Sequence, residues 1–491
     1  MPSGKILLVQ PPYPQELGYE GLNIRPPPLG ILYLASILRQ GGFEEVSVLD
    51  ANILGLKQED FAKIVESEQP KIVGISSLTA TYFSAIRFAR EAKKISPDSK
   101  VIFGGPHVSF LSSEVLRLNR CVDFVVRGEG ENTFFELCKA LLNSDYGGAV
   151  DGGRTDFHGI RGITFRTDGR TVQTEDRPYI MDLDILPFPA RDLLPFDMYE
   201  TSKGRKNFTT IITSRGCPYG CYFCATSPFW GRKWRARKPL KVVKEMEECI
   251  NEFGVHTFFF GDDSLNHSPA HLEKLCDLMI ERRVCEEAEW WCQARADRVS
   301  PKLLQKMKKA GCMLVLYGVE TGSQEGLDKI GKREEIGTIK RTFELTHRVG
   351  IETIGTFILG LPWDTEEGIR KTVEFAKILD PAYVQFTIFT PLPGSQGWED
   401  IIKECGLKDD IDWQRFTWYS DPTTVSKGFN PCKSIQDLEE MLIRAYLQFL
   451  FRKKQLPKFV LNPVYRSLGK IGIKRIAYYF LRKHGLIKTK I

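Results

Sequence analysis

TTIITSRGCPYGCYFC, residues 209–224, decides the fold. Thr209–Ser214 is a β-branched run of strand character. Gly216 breaks it, and Cys217, Cys221 and Cys224 follow at CxxxCxxC spacing on the loop leaving the strand's carboxyl end. Loops at that end carry the chemistry of α/β sheets and barrels. Thiolates are soft, electron-rich ligands suited to iron–sulfur clusters, and a [4Fe–4S] cluster normally takes four of them. Three would leave one iron open. A structural zinc also wants four donors, and the next in sequence, Cys249 and His256, fall on an expected helix and the strand after it. Three packed thiols with no ligand do not account for such tight spacing on a strand-to-helix loop.

Toward the C-terminus the strand-and-helix alternation continues, with strands expected at Thr257–Gly261, Glu289–Ala294, Met313–Val319, Thr353–Leu359 and Tyr383–Thr390. Six units fall short of the eight in a closed barrel, so residues 207–432 are expected to form a partial (β/α)6 barrel of TIM type. Polar groups recur at the strand ends: Asp262-Asp263, Gln293 with Arg295, Glu320-Thr321 and Gly360-Leu361-Pro362. Each alone has an ordinary reading, since paired acids cap helices and an Arg near a Glu is usually a salt bridge.

Toward the N-terminus, Lys5–Gln10, Glu45–Asp50, Lys71–Ser76, Lys100–Gly104 and Asp123–Arg127 alternate with helix-length segments. That pattern predicts an α/β domain over 1–142, a doubly wound, Rossmann-like parallel sheet whose strand-end loops outline one crevice. No GxGxxG follows its first strand and no GxxxxGK[ST] occurs anywhere, so pyrophosphate is not the obvious ligand. Residues 143–206 turn to Gly, Asp, Pro and charge, which reads as a linker with a hairpin at Gly162–Thr174 turning on Asp168-Gly169.

The 491 residues, 42% hydrophobic and 26% charged, suit several folded domains and argue against wholesale disorder. A net charge of +6 is too even for a nucleic-acid binder acting through its whole surface, and no nucleic acid is expected as a partner. The charge is concentrated at one end: residues 452–491 hold twelve Lys/Arg and no acid. Residues 433–491 are expected to be a basic helical region, suited either to an anionic membrane surface or to packing with a solvated basic face. With no signal-peptide pattern in MPSGKILLVQ and no long apolar run, a cytoplasmic protein is expected, peripheral on the inner membrane face if the tail binds lipid. Twelve cysteines in such a chain point to metal or redox chemistry before disulfides.

The cysteine run after the first strand of a partial barrel resembles the radical S-adenosylmethionine (SAM) superfamily. The resemblance implies that the open iron chelates the amino and carboxylate groups of SAM, which is cleaved reductively to a 5′-deoxyadenosyl radical. It also implies that the Phe223 backbone meets adenine and that Asp262-Asp263 holds the SAM amino group. Gln293, Arg295, Glu320 and the run Ile358–Pro362, with Gly360 at its centre, match ribose, carboxylate and adenine contacts. Gly74-Ile75-Ser76-Ser77-Leu78, followed 25 residues later by Gly104-Gly105, resembles the S-x-L and GG signatures of cobalamin-binding domains. Small residues there allow cobalamin's nucleotide tail to thread beside the sheet. Pro106 and His107, with Gly128-Glu129-Gly130-Glu131, are similar to the corresponding loops of B12-binding radical SAM proteins, and the likeness spans residues 5 to about 400. One departure stands out: the cobalt-ligating DxHxxG of methionine-synthase-type domains is replaced by Gln10-Pro11-Pro12-Tyr13-Pro14.

What the resemblance implies is a [4Fe–4S] cluster, SAM and cobalamin serving a methyltransferase at an unactivated carbon. An oxidative cyclase or rearrangement enzyme, like the anaerobic magnesium-protoporphyrin monomethyl ester cyclase, is the alternative, and a cobalamin or redox sensor is the non-enzyme one. Methylthiotransfer would need three N-terminal cysteines for a second cluster, and before residue 143 there are only Cys121 and Cys138. Expected partners are a small-molecule substrate, lipid-like or a tetrapyrrole, and an electron donor such as flavodoxin or ferredoxin.

Overall fold

A computed structural model describes residues 4–13, 26–142, 156–200, 207–405 and 435–450, together with Ile411, Trp413 and Phe416. Strands β1 (Ile6–Gln10), β2 (Val46–Asp50), β3 (Ile72–Ser76), β4 (Lys100–Gly104) and β5 (Phe124–Val126) form a parallel sheet in the order β2-β1-β3-β4-β5. Ile6 lies opposite Val46 on one side and Ile72 on the other. The β1 run is apolar at almost every position because a parallel sheet is covered on both faces. Leu7 and Val9 pack beneath helices α2 (Gln58–Glu68) and α3 (Tyr82–Ile95), while Ile6 and Leu8 pack beneath α1 (Leu29–Gln40) and α6 (Gly130–Leu142). The short helices α4 (Pro106–Phe110) and α5 (Ser112–Leu118) follow β4. Strand order reverses between β1 and β3, which opens the crevice where such sheets bind ligands.

The hairpin expected in the linker forms as β6 (Ile163–Thr167) and β7 (Arg170–Gln173). Asp168 and Gly169 both take positive φ, 49° and 74°, the type I′ turn that matches the twist of its strands. Its place is a correction, because β6 pairs antiparallel with β5 and so extends the N-terminal sheet instead of merely linking. Arg191, farther along the same segment, is buried against the second sheet, where its Nη2 meets Glu245 Oε1 at 2.6 Å.

That second sheet holds six parallel strands: β8 (Phe208–Ile211), β11 (Thr257–Phe260), β12 (Glu289–Ala294), β13 (Cys312–Glu320), β14 (Glu352–Leu359) and β15 (Tyr383–Ile388). Between the first two lies a small ribbon of β9 (Ser214–Arg215) and β10 (Arg235–Ala236). The strand expected over Thr209–Ser214 therefore ends early. Gly216 turns the chain at φ +90°, and a Cβ there would lie 2.4 Å from the Lys233 carbonyl, so only glycine fits. The remaining helices are α7 (Thr226–Trp230), α8 (Pro239–Phe253), α9 (Pro269–Glu281), α10 (Val284–Glu287), α11 (Pro301–Lys309), α12 (Gln324–Ile330), α13 (Ile336–Val349), α14 (Glu366–Leu379), α15 (Gln396–Cys405) and α16 (Ile435–Leu450). Tyr446 of α16 bonds Phe386 N–H and C=O at 3.1 and 3.0 Å and so covers the β15 edge. The Lys/Arg-rich segment 452–491 lies outside the described residues.

Alternation along these strands separates two environments. Outward-facing Phe258, Phe260, Trp290, Cys292, Val315 and Tyr317 are fully buried. Inward-facing Phe259, Trp291, Leu314, Leu316 and Ile354 keep partial exposure. A closed barrel fills its interior with side chains; this partial one keeps an open lumen.

Candidate functional site

The carboxyl ends of the two sheets face a shared cavity of about 2030 Å³. Of the residues singled out above for cluster, SAM or cobalamin, Ser77, Leu359, Gly360, Leu361 and Pro362 stand outside its lining and the rest line it. Gly360 instead turns the chain out of β14 at φ +78°, its N–H donating to Asp364 Oδ2 at 2.9 Å.

The cysteine loop is held by its backbone. Cys217 N–H donates to Gly231 O at 3.3 Å, Tyr222 N–H to Ile330 O at 2.9 Å and Cys224 N–H to Cys221 O at 3.0 Å. Ser227 Oγ donates to Cys217 O at 2.8 Å. All three thiols are free and half-buried. Burial raises the Cys217 thiol and pushes Cys221 up to about 12, against the pull of the Lys332 ammonium. A cationic centre is what turns such thiols into thiolates, so the donor set fits an iron–sulfur cluster. Among the described residues no three His, Cys, Asp or Glu side chains are spaced to hold one ion. A cubane gives each thiolate its own iron and does not ask them to converge on one point. Cys249 is buried within α8 and His256 Nδ1 is hydrogen-bonded to Glu287 O at 2.9 Å, so neither is a fourth donor.

The acid pair at the β11 end divides in two. Asp262 accepts from Thr213 N–H at 3.1 Å, Thr213 Oγ1 at 2.8 Å and the Ser214 hydroxyl, which ties β11 to the strand beside it. Asp263 keeps a buried Oδ2 with no partner, and burial followed by the neighbouring Asp262 charge raises its carboxyl to about 7. An unpaired buried carboxyl of this kind favours an ammonium beside it. Gln293 is exposed to the cavity, and Phe223 packs near Ile330, Ile358 and Phe389. Arg295 is already engaged: it meets Asp297 at 2.9 Å and Glu334 at 3.2 Å, and its guanidinium lies 3.6 Å over the Tyr219 ring. Glu320, in a left-handed conformation at φ +68°, accepts from the buried Lys332 at 3.1 Å. Lys332 was not foreseen, because the twelve positions from Glu320 give no periodic signal.

On the other wall, Ser77 N–H donates to Gly104 O at 2.8 Å, joining the β3 and β4 ends beside Ser76 and Leu78. Gly105 has φ +109°, and a Cβ there would lie 2.7 Å from Ser77 O. A Cβ on Gly104 would meet nothing closer than 3.9 Å, so the backbone there is open to a close ligand. Ser77 Oγ is buried without a partner. With the strand-order reversal, this cradle fits a cobalamin tail. Pro106 opens α4, and Gly128 N–H donates to Ser109 Oγ at 3.0 Å.

One expectation changes here, that for Glu129. His107 keeps its place on the cavity wall and is buried, 3.3 Å from Thr79 Oγ1 and 4.5 and 4.6 Å from the Tyr82 and Trp413 rings. Burial lowers it to about 3, so it is a neutral wall of the cavity. Glu129 is spent on the domain interface. Arg235 Nη1 donates to its two oxygens at 2.8 and 2.9 Å, Arg215 Nη1 at 3.0 Å and Ile180 N–H at 2.7 Å. Arg215 Nη2 also reaches Glu131 Oε1 at 2.6 Å.

Comparison with known proteins agrees with this geometry. Residues 24–138 match the B12 binding domain family and residues 211–376 the Radical SAM superfamily. The chain is 34% identical over 485 residues to an uncharacterized methyltransferase of Pyrococcus horikoshii, covering 97% of this chain and 98% of that one. It is 29% identical to the anaerobic magnesium-protoporphyrin IX monomethyl ester cyclase of Rubrivivax gelatinosus, covering 92% of this chain and 80% of the cyclase. The solved structure of TsrM, a radical SAM methyltransferase from Kitasatospora setae with cobalamin and a [4Fe–4S] cluster bound, shares the fold at TM-score 0.65 and 21% identity. That match covers 82% of this chain and 75% of TsrM. With both domains matched in order and a relative aligned along nearly its whole length, this chain belongs to the B12-binding radical SAM family.

Proposed function

We propose that this enzyme methylates an unactivated carbon of an apolar small molecule. The observation that carries the reading is the single cavity, which opens on the cysteine loop and on the switch-point crevice together. When bound, the cluster with SAM supplies a 5′-deoxyadenosyl radical and cobalamin supplies the methyl group. Cys217, Cys221 and Cys224 hold the iron. Asp263, not Asp262, accepts from the SAM amino group, and Gln293 stands within the same mouth. Phe223, Arg295 and Glu320 complete the SAM side, with Arg295 and Glu320 held in position by Glu334 and Lys332. Ser76, Leu78, Gly104, Gly105 and Pro106 take the cobalamin tail, with His107 as an uncharged wall and Gly128 at the next strand end. Enclosing the reaction between two sheets keeps water from the radical.

The substrate class follows from the lumen. Below Gln293 the inward-facing Phe259, Trp291, Leu314, Leu316 and Ile354 offer apolar walls, with Trp291 stacked on Phe259 at 4.0 Å. An isoprenoid, lipid-like molecule or tetrapyrrole suits that lining. The relative named as a porphyrin-ester cyclase favours a second reading, oxidative cyclisation of a tetrapyrrole. The electron comes from a flavodoxin or ferredoxin, and membrane contact through the basic tail belongs to this proposal. Among the described residues no helix is long and apolar enough to cross a membrane.

The test is SAM turnover by anaerobically purified protein grown with cobalamin and given dithionite. Methyl transfer predicts bound cobalt, 5′-deoxyadenosine and S-adenosylhomocysteine together; deoxyadenosine without S-adenosylhomocysteine would favour the cyclase reading, and neither product with an intact cluster and substrate would overturn both.

A further inference from the structure

The cysteine loop reaches the surface at its apex. Pro218 and Gly220 are exposed while the cysteines on either side are half-buried, so a bound cluster lies about one residue from solvent there. Exposed cations bracket this apex. The Arg232 guanidinium lies 3.5 Å from where a Gly220 Cβ would stand, and Lys233 follows it in sequence. Arg298 Nη2 donates to Tyr219 Oη at 3.0 Å. Gly331, 3.6 Å from Gly220 O in the same sense, stands two residues before Arg333. All four are exposed, and no ion pair engages Arg232, Lys233, Arg298 or Arg333 among the described residues. Nearby Asp297 is committed to Arg295.

An apolar strip adjoins the cations. Tyr179 packs on Gly231, immediately before Arg232, and is 37% exposed. Met181 and Ile185 on the same segment are 53% and 61% exposed, and Leu240 is 43% exposed. Lys238 N–H donates to Asp184 Oδ1 at 3.0 Å, which joins Leu240's helix to that segment. Apolar side chains beside a charged rim are the anatomy of a protein contact, not of a small-anion pocket.

We propose that this surface is the landing site for a small one-electron carrier protein with an acidic face around its redox centre. The inference rests on the proposed function, which requires a cluster in this loop. Opposite charge steers encounter and fixes orientation, while Pro218 and Gly220 let the carrier approach the cluster closely. In the step itself one electron passes from carrier to cluster; the carrier is oxidised by one electron and the cluster reduced by one, and no proton or group moves.

The test uses cluster-loaded enzyme, wild type and the triple variant R232E/K233E/R333E, with a flavodoxin as the probe. Flavodoxin affinity is measured by titration at low and high salt, and cluster reduction is followed by stopped flow with reduced flavodoxin and, separately, with dithionite. The triple variant is expected to bind flavodoxin about tenfold or more weakly at low salt, with a smaller salt dependence. Its reduction by flavodoxin should slow in parallel, while its iron content and reduction by dithionite match wild type. K63E on α2 should behave as wild type. Unchanged flavodoxin affinity and reduction in the triple variant would overturn the proposal, as would equal weakening by K63E. Failure of SAM cleavage with a fully reduced cluster would instead refute the proposed function, leaving the binding result readable.

Discussion

Removing the Glu129 carboxylate should loosen the contact between the two sheets. Glu129, Glu131, Arg215 and Arg235 form a buried network, none with a side chain more than 7% exposed. In Glu129→Ala, Arg235 keeps the carbonyls of Ile180 and Trp230 at 2.7 Å each but loses its counter-charge. Arg215 is left with Glu131 alone, and the Ile180 N–H loses its acceptor. Breaking a buried ion pair from one side costs about 3–5 kcal/mol, because a desolvated charge is stranded. The orphaned N–H adds about 1–3 kcal/mol, not additively. The assay is a double-mutant cycle with Arg235→Met, read by denaturant unfolding with probes in each domain, since two domains need not unfold as one. Removing both charges should recover part of the loss, giving a coupling of about 1–3 kcal/mol. A Glu129→Ala cost below about 1 kcal/mol, or a coupling within about 0.5 kcal/mol of zero, would refute the clamp.

Asp263→Asn should weaken SAM binding by cluster-loaded enzyme while leaving thermal stability near wild type. Asp262→Asn should do the reverse, costing about 1–3 kcal/mol through its bonds to Thr213 and Ser214; equilibrium binding and melting of the two variants separate the roles. His107 is held neutral with its folded pKa lowered to about 3. Its unfolded form takes a proton near 6.5, so its contribution to stability is complete above that value and is lost as pH falls toward 3. His107→Gln should flatten the stability profile between about pH 6.5 and 4, as measured by denaturant midpoints across that range. Gly105→Ala forces a Cβ to 2.7 Å from Ser77 O at φ +109°, and should cost about 1–3 kcal/mol together with cobalamin retention, checked by melting and bound cobalt.

Much of the fold was legible because parallel strands covered on both faces read as continuous apolar runs, as Ile6–Gln10 does. The cysteine loop was legible because its spacing is local. What the linear pattern could not separate depends on geometry. Asp262 and Asp263 are equivalent as text, yet one is tied to Thr213 and Ser214 while the other keeps a buried carboxyl oxygen with no partner. Glu129 sits in a glycine-punctuated loop that resembles a cofactor contact, while its partner Arg235 is 106 positions away. Lys332 and the burial of His107 are likewise products of tertiary packing. The early end of β8 at Ile211 goes with the pairing of Ser214–Arg215 to Arg235–Ala236, which arrive from beyond the cysteine loop.

The central claim is that cluster and cobalamin share one cavity. Electron paramagnetic resonance of protein loaded with cob(II)alamin, before and after reduction of the cluster, tests it most directly. The account predicts that the cobalt signal broadens and relaxes faster once the cluster becomes paramagnetic, and that Cys221→Ala abolishes the effect. A cobalt signal indifferent to cluster reduction, or protein that retains its cluster and takes up no cobalamin, would contradict it.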